Sequence, residues 1–112
     1  MDETRLARYR SALTTRLKAL DEEDARGQDG QKTVTLDQQA VGRLSRMDAL
    51  QNQAMAKAQA QRRDGERRRI AAAFHRMAEG EYGYCTDCGE PLDEERLNAD
   101  PTLPRCLSCT LG

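Results

Sequence analysis

The spacing of four cysteines limits the fold of this chain more than any other feature. All four lie in CTDCGEPLDEERLNADPTLPRCLSC, residues 85–109. They form two Cys-x-x-Cys pairs, Cys85/Cys88 and Cys106/Cys109, with seventeen residues between them. A tetrahedral zinc site takes its four ligands from two short turns, and each Cys-x-x-Cys sets two sulfurs on one tight loop. Gly89, directly after Cys88, allows a left-handed turn there. The spacer lies within the range for two-knuckle zinc sites. Disulfide or redox cysteines are the competing reading. It is the weaker one, because the N-terminal MDETRLARYRSALTTRL mixes acids and arginines and has no apolar h-region. No signal peptide is therefore expected, and a reducing cytoplasm favours metal over disulfide. Four cysteines fill every position of a tetrahedral ion, which leaves none for a catalytic water. One structural Zn2+ is expected.

Metal also answers a shortage in the composition. The chain has 112 residues, 33% of them charged, with one Phe, no Trp and 4% aromatics overall. So little bulky apolar mass cannot build a thick core. It suits long helices that bury a narrow stripe, joined to a small module held by something other than apolar burial. No apolar run approaches the roughly 20 residues that span a bilayer.

Two helices are predicted upstream. Leu6, Leu13, Leu17 and Leu20 step by seven, four and three, with Tyr9 on the same side, so residues 3–26 read as a helix that Asp2 caps. GQDGQKT at 27–33 carries two glycines and no apolar residue and reads as a break, placing the turn at 27–35. TLDQ at 35–38 is a capping box with Thr35 as cap and Gln38 reaching back. From there to residue 79 the pattern is helical. Val41, Leu44, Met47, Leu50, Ala54 and Ala58 step by three or four, and Ile70, Phe74 and Met77 resume the stripe, with Met47, Met55 and Met77 as packing residues. Gly80 and Gly83 end the helix. The expected fold class is mainly α: an antiparallel two-helix coiled-coil hairpin over residues 1–80, then a four-cysteine zinc module over 81–112.

Charge is segregated although the net value is only −1. Residues 57–76 hold seven basic residues against two acids, and the spacer 89–105 holds five acids against two arginines. An acidic spacer does not suit phosphate contact, which argues against a DNA-reading finger. The basic stretch on the helix, where Arg62, Arg69 and Arg76 fall seven apart, suits nucleic acid or an acidic protein surface. His75 reads as a surface or packing residue, since the cysteines already complete a site. No nucleophile, base and orienting group stand together, so no enzyme is expected.

From Tyr82 to Cys109 the chain resembles the DksA/TraR family of bacterial transcription factors. The matching residues are YGYC, CG, the RL of residues 96–97, Ala99, Pro101 and the second Cys-x-x-Cys with the same seventeen-residue spacer. Upstream, LDQQAVGRLSRMDALQ at 36–51 looks like the variant carried by short DksA-like proteins. The resemblance implies a monomer that binds RNA polymerase, inserts the coiled coil into its secondary channel and brings acidic tip residues near the catalytic centre. Initiation is then modulated, often together with the alarmone ppGpp, without any DNA sequence being read. The alternative is a zinc-stabilised nucleic-acid-binding or adaptor protein that uses the 57–76 face.

The chain departs from the family pattern in three places. The tip string Asp-x-x-Asp-x-Ala is absent, and counting back without gaps from Cys85 puts its positions at Gly42, Ser45 and Met47. Asp37, beside the predicted turn, is the favoured tip residue, and Asp48 is the other candidate. A shaft arginine that contacts polymerase in the family matches Arg62, and a basic alarmone-site residue matches Arg69. Two further basic alarmone-site positions fall on Asp100 and Thr110, and an acid where a polyphosphate should bind weighs against a ppGpp response. The helix that extends beyond the second pair in longer members is expected to be absent or reduced to a turn.

Overall fold

The computed structural model describes residues 1–32 and 43–112. Helix α1 spans Glu3–Lys32 and α2 spans Arg43–Ala78, with two short helices after them, α3 at Glu94–Ala99 and α4 at Leu107–Leu111. The described residues hold no strand, only an isolated antiparallel bridge between Tyr84 and Pro91. The architecture is the expected one, an antiparallel pair of long helices and a small cysteine-bearing module. No helix among the described residues is long and apolar enough to cross a membrane.

The helix ends follow local chemistry. Asp2 caps α1: its carboxylate accepts from the backbone N–H of Arg5 at 2.7 Å and its carbonyl from Leu6 at 3.0 Å. At the other end of the pair, Gly80 takes φ 75°, the left-handed conformation that side chains disfavour. The N–H of Gly80 then reaches the carbonyl of Met77, and that of Glu81 the carbonyl of Arg76. This Schellman closure satisfies two carbonyls that the helix end would leave unpaired.

The chain divides into two compact units. One unit joins Met1–Leu17 to Arg67–Gly112, and the other is Lys18–Glu66. The cysteine module therefore shares its unit with the start of α1 and the end of α2. That unit buries Tyr9, Leu13, Ile70, Ala73 and Met77 from the helices, together with Tyr82, Cys85, Leu92, Leu97 and Thr102 from the module.

Three expectations need correction or lie beyond reach. Helix α1 does not break at residue 27 but runs to Lys32. Gly27 is helical for a packing reason: a Cβ there would lie 2.7 Å from Nη2 of Arg63. That guanidinium donates from Nε to Asp24 and is only 12% exposed. A glycine one turn beyond Asp24 leaves it room, at a helix-propensity cost of about 1 kcal/mol. The predicted capping box at 35–38 and the stripe residue Val41 lie outside the described residues.

The stripe of α2 is the third point. Met47, Leu50 and Met55 are 62%, 52% and 56% exposed, and Ala54 is exposed too. One series of more covered positions runs Ala49, Gln53, Ala56, Ala60, Arg63 and Arg67 to Ile70, Phe74 and Met77 in steps of three and four, and Ala58, Gly65 and Glu66 are half-covered beside it. The reason is phase. Ala58 and Ile70 are twelve residues apart, which at 3.6 residues per turn leaves them about 120° out of register. In the Ile70–Phe74–Met77 series the first and last are buried and Phe74 is half-buried, and traced back along the helix it meets alanines, a glutamine and arginines. In the second unit α1 offers a buried Leu20 along with Glu23, Asp24 and Gly27, a surface suited to small residues and a guanidinium.

The Arg63–Asp24 pair gives a first test. Arg63→Ala takes a charged partner from a carboxylate that is only 28% exposed. The expected loss is about 1–2 kcal/mol, smaller than for a fully buried pair because both groups keep some solvent. Arg63→Met combined with Asp24→Leu should recover part of it, because neither member of the pair then stays charged without the other. Urea unfolding midpoints of the three proteins at a common m-value read this directly.

Candidate metal centre

The first knuckle is a backbone turn around Cys85. Cys85 donates its N–H to Glu90 at 2.8 Å, and Gly89, at φ 77°, donates back to the carbonyl of Cys85 at 3.0 Å. Leu92 donates to Gly83, so the chain enters and leaves the turn side by side. The second pair is set by α4. Cys106 is its N-cap residue, and its carbonyl accepts from the backbone N–H and the hydroxyl of Thr110, which puts Cys109 on the first turn. Thr86 donates to Pro104 at 2.9 Å and ties one knuckle to the approach of the other.

The spacer between the pairs is built to hold its shape. Asp93 caps α3, accepting from Glu95, and Leu97 of α3 is buried with Leu92. Tyr82 donates its hydroxyl to Pro101 at 2.7 Å. Asp100 accepts from the N–H and hydroxyl of Thr102 at 3.1 and 2.6 Å, folding the turn that leads to Cys106. Arg76 adds a bond from Nη2 to the carbonyl of Thr102 at 3.2 Å, and burial lowers its pKa. Burial, with Tyr9 alongside, pushes the Tyr82 phenol up, so it stays a neutral donor.

These turns bring the four sulfurs together. Cys85, Cys88, Cys106 and Cys109 are free thiols whose Sγ atoms all lie within 4.8 Å of one another, with Cys88 and Cys106 at 3.7 Å. Four thiolates bound at about 2.3 Å to a tetrahedral ion stand about 3.8 Å apart, so the donor set fits zinc. The electrostatics are those of a cluster with too few countercharges. Backbone N–H groups, that of Cys106 foremost and then that of Cys88, hold the Cys85 thiol down at about 6. Cys88 receives similar help from the Glu90 N–H, but its sulfur neighbours Cys85 and Cys106 and its burial outweigh this and raise it. Hydrogen bonds to the other sulfurs, that of Cys106 foremost, push Cys109 up as well. The Cys85 thiolate forms readily, and those of Cys88 and Cys109 are favoured by a nearby cation. Bound zinc supplies that charge and acts as a closed cross-link between the two knuckles.

Arg62 and Arg69 are exposed on α2, as is Asp48. Asp37 lies outside the described residues. Asp100, which matches a basic family position, is engaged in its own turn. His75 pairs on the surface with Glu79 at 3.0 Å, as a surface residue should.

Residues 80–110 match the model of the prokaryotic dksA/traR C4-type zinc finger. Among curated proteins, the RNA polymerase-binding transcription factor DksA of Haemophilus influenzae is 38% identical over an alignment of 50 residues that covers 42% of this chain and 34% of that one. The protein of the same name from Escherichia coli K12 is 28% identical over 114 residues, covering 97% of this chain and 71% of that one. Among solved structures, transcription factor DksA2 from Pseudomonas aeruginosa matches with a TM-score of 0.79 at 22% identity, covering 99% of this chain and 84% of the other.

Proposed function

We propose, from the premise that the chain is of the DksA/TraR family, that it is a bacterial transcription regulator that binds RNA polymerase and modulates initiation without reading DNA sequence. The observation that carries this reading is the four-sulfur centre on a matched finger, set beside a pair of long helices. The helix pair enters the secondary channel of the enzyme. The protein acts as a cytoplasmic monomer, and its zinc serves structure, not catalysis. Co-purification of RNA polymerase with the tagged chain supports this. Retention of duplex DNA at physiological salt with no polymerase overturns it in favour of the second reading, a nucleic-acid-binding protein. That reading has one observation behind it, the exposed Arg62, Arg68 and Arg69 on α2.

Affinity and effect are assigned to different residues. Arg62→Ala should weaken polymerase binding by about 1–3 kcal/mol, the worth of a charge-assisted hydrogen bond, as measured by competition binding. Asp37→Asn keeps size and removes charge. It should leave binding intact and abolish the effect on transcription in vitro. A fully active Asp37→Asn with an inactive Asp48→Asn would move the functional tip to Asp48.

A further inference from the structure

One face of α1 grips the cysteine module. Arg5 and Tyr9 are spaced four apart on α1 and so lie on one side of the helix, and Met1 precedes its cap. The methyl group of Met1 packs onto Gly83, where a Cβ would lie 2.8 Å from it. Arg5 and Arg8 reach Oε1 of Glu94 at 3.2 and 3.7 Å. Tyr9 donates its hydroxyl to Oδ1 of Asn98 at 2.7 Å, and its ring meets that of Tyr82 at 5.7 Å, tilted by 52°. Two of these partners, Glu94 and Asn98, sit one turn apart on α3, on either side of the buried Leu97.

Helix α3 has six residues, too few to hold a helix alone. It keeps its shape because the spacer that carries it is fixed at both ends, and those ends are the two cysteine pairs. The cross-link that closes the spacer therefore also presents Glu94 and Asn98 to α1. Nε of Arg5 is buried and, among the described residues, has no acceptor. The grip thus relies on the contacts that α3 provides.

We propose that the first turns of α1 form a metal-dependent latch, docked on the module when the four-cysteine centre is loaded and frayed when it is empty. Metal removal frees α3, and Arg5, Arg8 and Tyr9 lose their partners together. Further along, α1 keeps Leu13 in the buried set with Ile70 and Ala73, so the fraying stops there. Coupling of this kind is reciprocal: residues that hold the latch also strengthen metal binding, although none of them is a ligand.

Hydrogen-exchange mass spectrometry on the full chain, zinc-loaded and chelator-stripped, tests the first half. Amides in residues 3–11 should exchange at least about tenfold faster after stripping, in step with those of 90–100, while residues 46–66 keep their rates. Residues 3–11 staying protected while 90–100 opens would overturn the latch. So would equal opening of 46–66, since the metal would then support the whole fold. Chelator competition with zinc tests the second half. Tyr9→Phe and Asn98→Ala should each lower zinc affinity about fivefold or more. Unchanged affinity in both variants sinks the proposal.

Discussion

Cys85→Ser should abolish zinc binding and unfold residues 82–112. Cys85 is the buried member of the four and the one whose thiolate the backbone already favours. A serine oxygen is a shorter and far poorer zinc ligand, and three remaining thiolates cannot close a tetrahedral site. Metal binding in such a centre is also folding free energy, on the order of 10–16 kcal/mol for zinc-finger peptides near pH 7. A domain of this size has about 5–15 kcal/mol in total. The module therefore has nothing with which to replace the ion. Elemental analysis should fall from one zinc per chain to near zero, with loss of amide protection in the spacer. Helical circular dichroism from α2 should largely remain. Wild-type protein that carries no metal and has its cysteines paired as disulfides would contradict the assignment.

The second large effect belongs to the helix pair. Ile70 is fully buried, in a set with Leu13, Ala73 and Met77. Ile70→Ala should cost about 3–4 kcal/mol, the transfer term plus the cavity it leaves. That is a large part of the total stability, and the thermal midpoint should fall by well over 10 °C. Leu50→Ala is the matched control. Leu50 is 52% exposed, so its loss should change stability by no more than about 0.5 kcal/mol. The sequence ranks both leucine and isoleucine as stripe residues, and only the observed register separates them. Equal costs at the two positions would mean that α2 packs through Leu50 and that the register described above is wrong.

That pair of residues also shows what a sequence can and cannot disclose. The metal centre was legible because ligand spacing within each knuckle is a local property. So were Asp2 as a cap and Gly80 as a terminator, each of which acts within one turn of the chain. The stripe of α2 was misread across the twelve residues from Ala58 to Ile70, where apolar spacing was followed without its phase. The end of α1 was misread because Gly27 looks like a breaker until Arg63 is placed against it. The seat of the module on α1 had no signal at all. Tyr9 and Asn98 are 89 residues apart, and nothing near either one names the other. The apolar pair Leu92 and Leu97 within an acidic spacer was the one hint that the spacer has a core of its own.

The Arg63–Asp24 pair has a consequence for ionic strength. Among the described residues of the unit from Lys18 to Glu66, the covered positions of α2 are alanines, Gln53, Arg63, Gly65 and Glu66, and only Leu20 is fully buried. The unit that holds Ile70, Leu13 and the four sulfurs is joined by apolar burial and thiolates, with the exposed ion pairs of Arg5 and Arg8 with Glu94 and of Arg105 with Asp87 at its surface. Raising salt from dilute buffer to 1 M shortens the Debye length from about 30 Å to about 3 Å, which weakens part-exposed ion pairs and leaves apolar contacts intact. Salt should therefore act first on the exposed pairs of Arg5 and Arg8 with Glu94, and less on the half-buried Arg63–Asp24 pair. The chain's response to ions is set first where the start of α1 meets α3, on the unit that carries the metal ligands.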